Sequence, residues 1–276
     1  MSDFQKMTDT MYRLTLPYKD IYTTIYFLRG PEGDIMFDAA SFPEDLEEYI
    51  LPAMKKIGIT GERLKYIFIS HNHRDHSGCL LPVLREFPTA TVVTRSVTLK
   101  DSLEGYSVKM PEDGEVIGGC FKVIASPGHT QDSEALLDTR SGALITGDCL
   151  QGFGIFGSGT WACNITRPSD HLNALKKLPL DEINEIYAAH DYHPYGYKAS
   201  GKEEIKAYIQ ACIDPLMMIR EMIEETPECS DEEITDRFNE PKTLPTLATR
   251  VVTAMRAEMS ASAEKIRWRI SMLPFE

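Results

Sequence analysis

The chain has 276 residues, 42% hydrophobic and 26% charged, with 42 acidic against 29 basic side chains and a formal net charge of -13. That is ordinary globular material, enough for one large domain or a domain with an appendage. So acidic a surface repels nucleic-acid phosphate and anionic lipid, and no long Lys/Arg run offers a local basic groove, so neither partner is expected. The first twenty residues lack an apolar secretion-signal core, and no segment approaches 18 uninterrupted apolar residues. Cys79, Cys120, Cys149, Cys163, Cys212 and Cys229 form no CxxC pair. The expectation is a cytoplasmic protein with reduced thiols and no membrane-spanning helix.

Residues 11–40 read as strands: Ile21 to Leu28 is β-branched and aromatic, and a Gly30–Gly33 turn precedes Asp34 to Phe37. Pro43 and Gly58 bracket a helix, and Leu64 to Ser70 suits a buried strand. A second helix is expected from Asp75 through Leu80, Val83 and Leu84. Short strands follow at 90–94, 121–125, 134–138 and 143–146, then a helix over 170–178 and a strand over 183–189. Strands and helices in two successive blocks imply an α/β fold of two sheets covered by helices. Beyond residue 200 the texture is helical, and the boundary is placed there: 1–200 as the catalytic part, 201–276 as a helical extension. One apolar stripe runs from Ile205 to Ile223 with Pro215 expected to kink it, and Ser230 to Glu233 forms a capping box. Another runs through Leu247, Val251, Met255, Met259, Ile266 and Ile270. These stripes suit packing on the main domain; a homodimer contact or a cap over the site is the alternative.

The chemistry lies in His71-Asn-His-Arg-Asp-His76, directly after the Leu64–Ser70 strand. Residues 71 and 73 of an extended end share a side, and a helix starting near Asp75 can turn Asp75 and His76 back toward the same point. Three imidazoles and a carboxylate in six residues are costly to leave unpaired in an interior, and they suit zinc, iron or manganese. His129, Asp148 and His190 each follow another strand. Seven N/O donors are too many for one tetrahedral ion and enough for two divalent ions sharing a carboxylate.

His71-Asn-His-Arg-Asp-His-Ser-Gly78, Ser126-Pro-Gly-His-Thr130, Thr146-Gly-Asp148 and Ala189-His-Asp191 together resemble the metallo-β-lactamase superfamily over roughly residues 10–195. The resemblance implies a four-layer αβ/βα sandwich with metals in a cleft at the sheet edges. It implies that His71, His73 and His129 hold one ion, that Asp75, His76 and His190 hold the other, and that Asp148 bridges them. Asp38 matches an aspartate that orients a ligand histidine in the family.

Two adjacent ions lower the pKa of a shared water, so a metal-dependent hydrolase of small-molecule esters, lactones or thioesters is expected, with zinc as the expected metal. Asp75 is its candidate proton carrier. A phosphodiesterase uses the same pair of ions. Asp75 to Pro82 also resembles the flavodiiron redox enzymes, which carry Glu where this chain has His73 and continue into a flavin domain. Four glycines with Phe153, Phe156 and Trp161 suggest either a loop presenting aromatics to the substrate or a structural loop whose aromatics cap the core. His193, Tyr192, Tyr195 and Tyr197 follow His190 closely enough to reach the cleft, and His171 is not expected to be a ligand.

Overall fold

The computed structural model describes residues 3–155, 163–241 and 247–262. Two sheets face each other. The first, in order β1 to β7, comprises β1 (Gln5–Lys6), β2 (Met11–Tyr18), β3 (Ile21–Leu28), β4 (Asp34–Phe37), β5 (Leu64–Phe68), β6 (Thr91–Val93) and β7 (Val108–Lys109). The second runs in the order β13 (Gly196–Ser200), β12 (Glu185–Tyr192), β11 (Ala143–Gly147), β10 (Glu134–Asp138), β9 (Phe121–Ala125) and β8 (Val116–Ile117). β4 through β7 are mutually parallel, as are β11 and β12, while the other pairs are antiparallel hairpins. The central strands are apolar on both faces because both faces are covered.

Between the sheets lie Tyr26, Phe37, Phe68, Phe121, Leu136, Ile145 and Tyr187, all fully buried. The outer face of the first sheet packs on a π-helical turn (Leu46–Ile50) continuing into α1 (Leu51–Lys56), and on α3 (Leu80–Glu86) and α4 (Val97–Ser102). The outer face of the second packs on α5 (Pro168–Lys176) and α6 (Lys202–Glu225). This is the four-layer αβ/βα sandwich. The far half of α6 joins α7 (Asp231–Asn239), capped by the expected Ser230 box, and α8 (Thr249–Ser262) in a further apolar cluster around Leu216, Ile219, Phe238 and Val251. The last helical stripe extends beyond the described residues at Ile266 and Ile270. No helix of the described residues is long and apolar enough to cross a membrane.

Four local readings change. The helix expected to run on from Asp75 is two: α2 (Arg74–Ser77) stops at Gly78, and α3 restarts at Leu80. Pro82 has no N–H to give to the Gly78 carbonyl, and the Gly78 N–H bonds both Arg74 and, across the loop, Ala40. Pro215 leaves α6 unbroken, its ring buried in the apolar stripe that packs on both sides of it. Ser96 caps the unforeseen α4 by accepting from the Leu99 N–H. Finally, β12 extends to Tyr192, which pairs with Gly196 and bridges Ile155, so His190 lies within a strand rather than after one. Its register shifts between Tyr187 and Tyr192. There the Ala188 and Ala189 carbonyls accept from Tyr26 Oη and Thr24 Oγ1 of β3, both at 2.6 Å, which ties the two sheets together beside His190.

Gly78 is where α2 meets the 38–41 loop. A Cβ there would stand 2.0 Å from the Ser41 carbonyl oxygen and 2.5 Å from that of Arg74. Gly78→Ala is therefore expected to cost ~1–3 kcal/mol of stability through overpacking. Gly58→Ala, at φ +70 in open space, should cost only the backbone term of about 1 kcal/mol. Urea unfolding of the two variants compares them, and equal losses would mean that the close approach at Gly78 is not tight.

Candidate metal centre

Each candidate ligand sits where a strand or its following turn ends at one edge of the sandwich. Asp38 follows β4, with φ 63, and His71 follows β5. His73 precedes α2, whose first turn presents Asp75 and His76. His129 follows β9, Asp148 follows β11, and His190 lies in β12. All seven predicted donors come together, in three groups whose donor atoms lie within 4.8 Å of one another: His71, His73 and His129; Asp75, His76 and His190; and His71, His76 and Asp148.

The orientation of the rings decides what the cluster can hold. His76 Nδ1 donates to Asp38 Oδ2 at 2.7 Å, and His190 Nδ1 donates to the Tyr22 carbonyl at 2.6 Å. His129 Nδ1 donates to the Asn164 carbonyl at 2.8 Å. His71 Nδ1 lies 3.1 Å from Ser70 Oγ, which in turn donates to Asp38 Oδ2. With the outer nitrogen of each ring so engaged, Nε2 of all four faces inward, where its lone pair can serve a metal. His73 Nδ1 meets His71 Nε2 at 3.0 Å and His129 Nε2 at 2.9 Å, three ring nitrogens converging on one point.

The Asp148 carboxylate divides between the groups. Its Oδ2 lies 3.6 Å from His129 Nε2 and 3.9 Å from His71 Nε2, while Oδ1 lies 3.3 Å from His76 Nε2 and 3.4 Å from His190 Nε2. Asp75 Oδ2 faces the same His76 and His190 nitrogens at 3.5 and 3.4 Å. His76 Nε2 and Asp148 Oδ1 are buried with no hydrogen-bond partner among the described residues. Buried imidazole nitrogens and carboxylate oxygens converging on one another suit cations, and this donor set fits two divalent ions.

The charges agree. Burial lowers the pKa of His71 well below its ordinary value and that of His129 to about 4, so both rings are neutral and ready to ligate. Burial also opposes the protonation of His76, yet Asp148, Asp75 and Asp38 outweigh it and raise His76 well above its ordinary value. Burial disfavours the carboxylates of Asp75 and Asp148 in turn, but the imidazoles facing them hold both below the usual range. Without metal, an imidazolium thus supplies the positive charge that the buried acids require.

Several roles were invisible in the sequence. Ser70 relays Asp38 to His71, and Asp38 also accepts from the Ser70 N–H at 2.8 Å, so one carboxylate aligns two ligands. Gly147, at φ +52, leaves room for this, since a Cβ there would stand 2.5 Å from Ser70 Oγ. The Asn164 carbonyl braces His129, and Gln151 Oε1 accepts from the Asn164 N–H, which steadies the segment that carries that carbonyl. Only their position in a loop outside the motifs could have pointed to them.

Tyr192 lines the cleft beside His190, but Tyr195 packs on Tyr208 and Tyr197 on Arg13, both away from it. His193 joins no ligand group among the described residues; its backbone pairs with Phe153 and Gly154. His171 is buried against Gly128 and likewise joins no ligand group among the described residues. Phe153 packs toward the α6–α8 cluster, whereas Ile155 lines the cleft; Phe156 and Trp161 lie outside the described residues.

The chain matches the profile of the metallo-beta-lactamase superfamily over residues 18–200. With that match over more than half its length, and with this sandwich and cluster, it belongs to that superfamily. A hydroxyacylglutathione hydrolase of Synechococcus sp. (strain JA-3-3Ab) is 33% identical over 172 residues, 61% of this chain and 63% of that protein. The match therefore spans less than two thirds of that relative. A beta-lactamase-like protein 2 homolog of Caenorhabditis elegans is 26% identical over 241 residues, 84% of this chain and 77% of the relative. Among solved structures, a metallo-beta-lactamase from Pontibacter korlensis superposes with TM-score 0.57 at 18% identity, covering 77% of this chain and 99% of that one. The flavodiiron protein of Giardia intestinalis reaches TM-score 0.59 at 19% identity, covering 76% and 58%. These structural likenesses concern the fold.

Two outcomes follow. Asp38→Asn removes the charge and one of the two oxygens that accept from His76 and Ser70 and should weaken zinc binding about 10- to 100-fold, read by competition with a chromogenic chelator. His76 has a raised pKa in the metal-free protein, so its stabilising charge is complete below about pH 6.5 and is lost as pH rises through the raised value. Zinc loading near pH 7 should therefore release about one proton, seen as a dependence of the calorimetric enthalpy on buffer ionisation heat. A buffer-independent enthalpy would mean that His76 is neutral before metal arrives.

Proposed function

We propose that the protein is a hydrolase dependent on two divalent metal ions that cleaves a small-molecule thioester, ester or lactone. The observation that carries this reading is the division of Asp148 between two groups of inward-facing donors. His71, His73 and His129 would hold one ion, Asp75, His76 and His190 the other, with Asp148 between them. Bound there, such ions polarise a carbonyl and acidify a water near neutral pH. Imidazole and carboxylate without thiolate suit zinc, iron or manganese, and zinc is the metal taken for the tests.

The remaining work falls to the chain. Asp38, Ser70, Asn164 and the Tyr22 carbonyl keep four rings from rotating, so the donors are in place before substrate arrives. Asp75 lines the open cleft of about 270 Å³ as well as facing His76 and His190. Its main-chain oxygen accepts from Thr23 Oγ1 at 2.6 Å, which anchors the turn that carries it. From there its carboxylate can take a proton and pass it to the departing thiolate or alkoxide. Ile155, Tyr192 and Ala248 give the cleft an apolar side for the acyl portion. The name of the Synechococcus relative, a hydrolase of hydroxyacylglutathione, favours a thioester among the acyl substrates.

The test compares a thioester, a lactone, an aryl ester and an aryl phosphodiester on zinc-loaded protein and on Asp75→Asn, with metal content measured in both. Acyl turnover is expected, abolished by chelation and reduced roughly 10²- to 10⁴-fold by Asp75→Asn beyond any loss of metal. Preference for the phosphodiester would overturn the acyl reading. Inactivity on all four with both ions bound would overturn hydrolysis of these classes.

A further inference from the structure

Of the lysines and arginines among the described residues, Arg13 alone is buried, at 7% exposure. It lies on β2 directly opposite Tyr26 of β3, so its side chain stands on the sheet face that meets the second sheet. Its guanidinium carbon sits 3.8 Å from the centre of the Tyr197 ring of β13 and 5.2 Å from that of the Tyr22 ring of β3. One cation is thus held between a ring from each sheet. Its Nε and Nη2 are buried with no hydrogen-bond partner among the described residues. Burial raises the pKa of the Tyr22 and Tyr26 hydroxyls, and in both the strongest influence against it is the Arg13 charge.

Burying a guanidinium with two idle nitrogens costs free energy that ring faces offset only in part. An unbranched apolar side chain of similar length would fill the space without that cost. Packing alone therefore does not account for the charge; its neighbour Tyr22 does. The Tyr22 carbonyl accepts from His190 Nδ1 at 2.6 Å, and the two rings lean on each other with centroids 6.3 Å apart. Tyr22, Thr24 and Tyr26 alternate onto one face of β3, and the latter two fasten β12 through the Ala189 and Ala188 carbonyls. Tyr22 is the least supported of the three. β4 pairs with β3 only from Tyr26 to Leu28, and opposite Tyr22 on β2 stands Pro17, which has no N–H to give. The ring held by Arg13 is what keeps this end of β3 against His190.

We propose that Arg13 is a positioning residue for one of the two metal subsites. Clamped between Tyr22 and Tyr197, it holds the Tyr22 carbonyl on His190 and so sets how tightly Asp75, His76 and His190 take their ion. The outer nitrogens of His71 and His129 are engaged by Ser70 and Asn164 instead, so the other subsite is indifferent to the clamp. The inference deepens the two-metal reading, on which it rests for the ions but not for the bond cleaved.

The experiment follows metal binding and the His190 ring rather than turnover. Wild type, Arg13→Met, Arg13→Lys and Tyr197→Leu are titrated with zinc by calorimetry, and nitrogen NMR of the histidine rings assigns each binding step to its subsite. Exchange of the His190 Nδ1–H with solvent is measured in the metal-free proteins, and each variant is unfolded in urea. Arg13→Met should weaken the step that perturbs His76 and His190 about tenfold, leave the other within about threefold, and speed the His190 exchange. Its stability should be unchanged or higher, since an apolar side chain replaces a buried charge. Arg13→Lys should recover part of the affinity, because an ammonium keeps a cation between the rings. Tyr197→Leu should weaken the same step, and adding Arg13→Met to it should change little more, since both release one clamp. Equal weakening of both steps, metal loss that tracks lost stability, or an unchanged His190 exchange would overturn the inference. A wild type that takes only one zinc ion sinks the two-metal reading, and the His190 exchange then decides the clamp by itself.

Discussion

An imidazole can offer a lone pair to a metal from one nitrogen only if the other holds the proton, and a buried N–H must have an acceptor. That constraint organises the cleft. Four rings need four acceptors in fixed places, and the chain supplies the Asp38 carboxylate, the Ser70 hydroxyl, and the main-chain carbonyls of Tyr22 and Asn164. Replacing any of them by an apolar group would free a ring to turn and leave a buried donor unsatisfied. The ligand set is therefore only as rigid as the strands and turns that carry its acceptors.

The two sheets meet this requirement jointly. Tyr22 belongs to β3 of the first sheet while His190 belongs to β12 of the second, so the hydrogen bond between them crosses the sandwich. Thr24 and Tyr26 cross at neighbouring positions to the carbonyls of Ala189 and Ala188. These carbonyls fall where β12 loses regular pairing with β13, and they would otherwise be buried without donors. The irregularity in one strand is satisfied by side chains of the other sheet, and the same contact fixes the distance between His190 and the ligands on the first sheet. Asp38, at the end of β4 with φ 63, plays the corresponding part inside the first sheet.

Charge is distributed with equal economy. The buried Asp75 and Asp148 carboxylates face the imidazoles of His76 and His190. The helical region packs against the sandwich through α6 and α5 rather than standing apart from it. One end of it reaches the cleft, since Ala248 and Arg250 form part of the wall.

His71, His73, Asp75 and His76 were legible in the sequence because a strand followed by a helix turn brings residues so close in number together without help from the rest of the chain. His129 and Asp148 were legible as residues that follow strands, and all three of His129, Asp148 and His190 through their match to a family pattern. The sandwich was legible because buried strands and amphipathic helices leave periodic apolar runs. What only the tertiary structure decided is which remote groups face the ligands: Tyr22 to His190, Asn164 to His129, Asp38 through Ser70 to His71, and Arg250 to the cleft. A backbone carbonyl has no identity in a sequence, since every residue carries one, and an arginine on a surface stripe looks the same whether it faces solvent or a metal cleft. Local chemistry is written residue by residue, whereas the partner that orients it is chosen by how the sheets and helices close on one another.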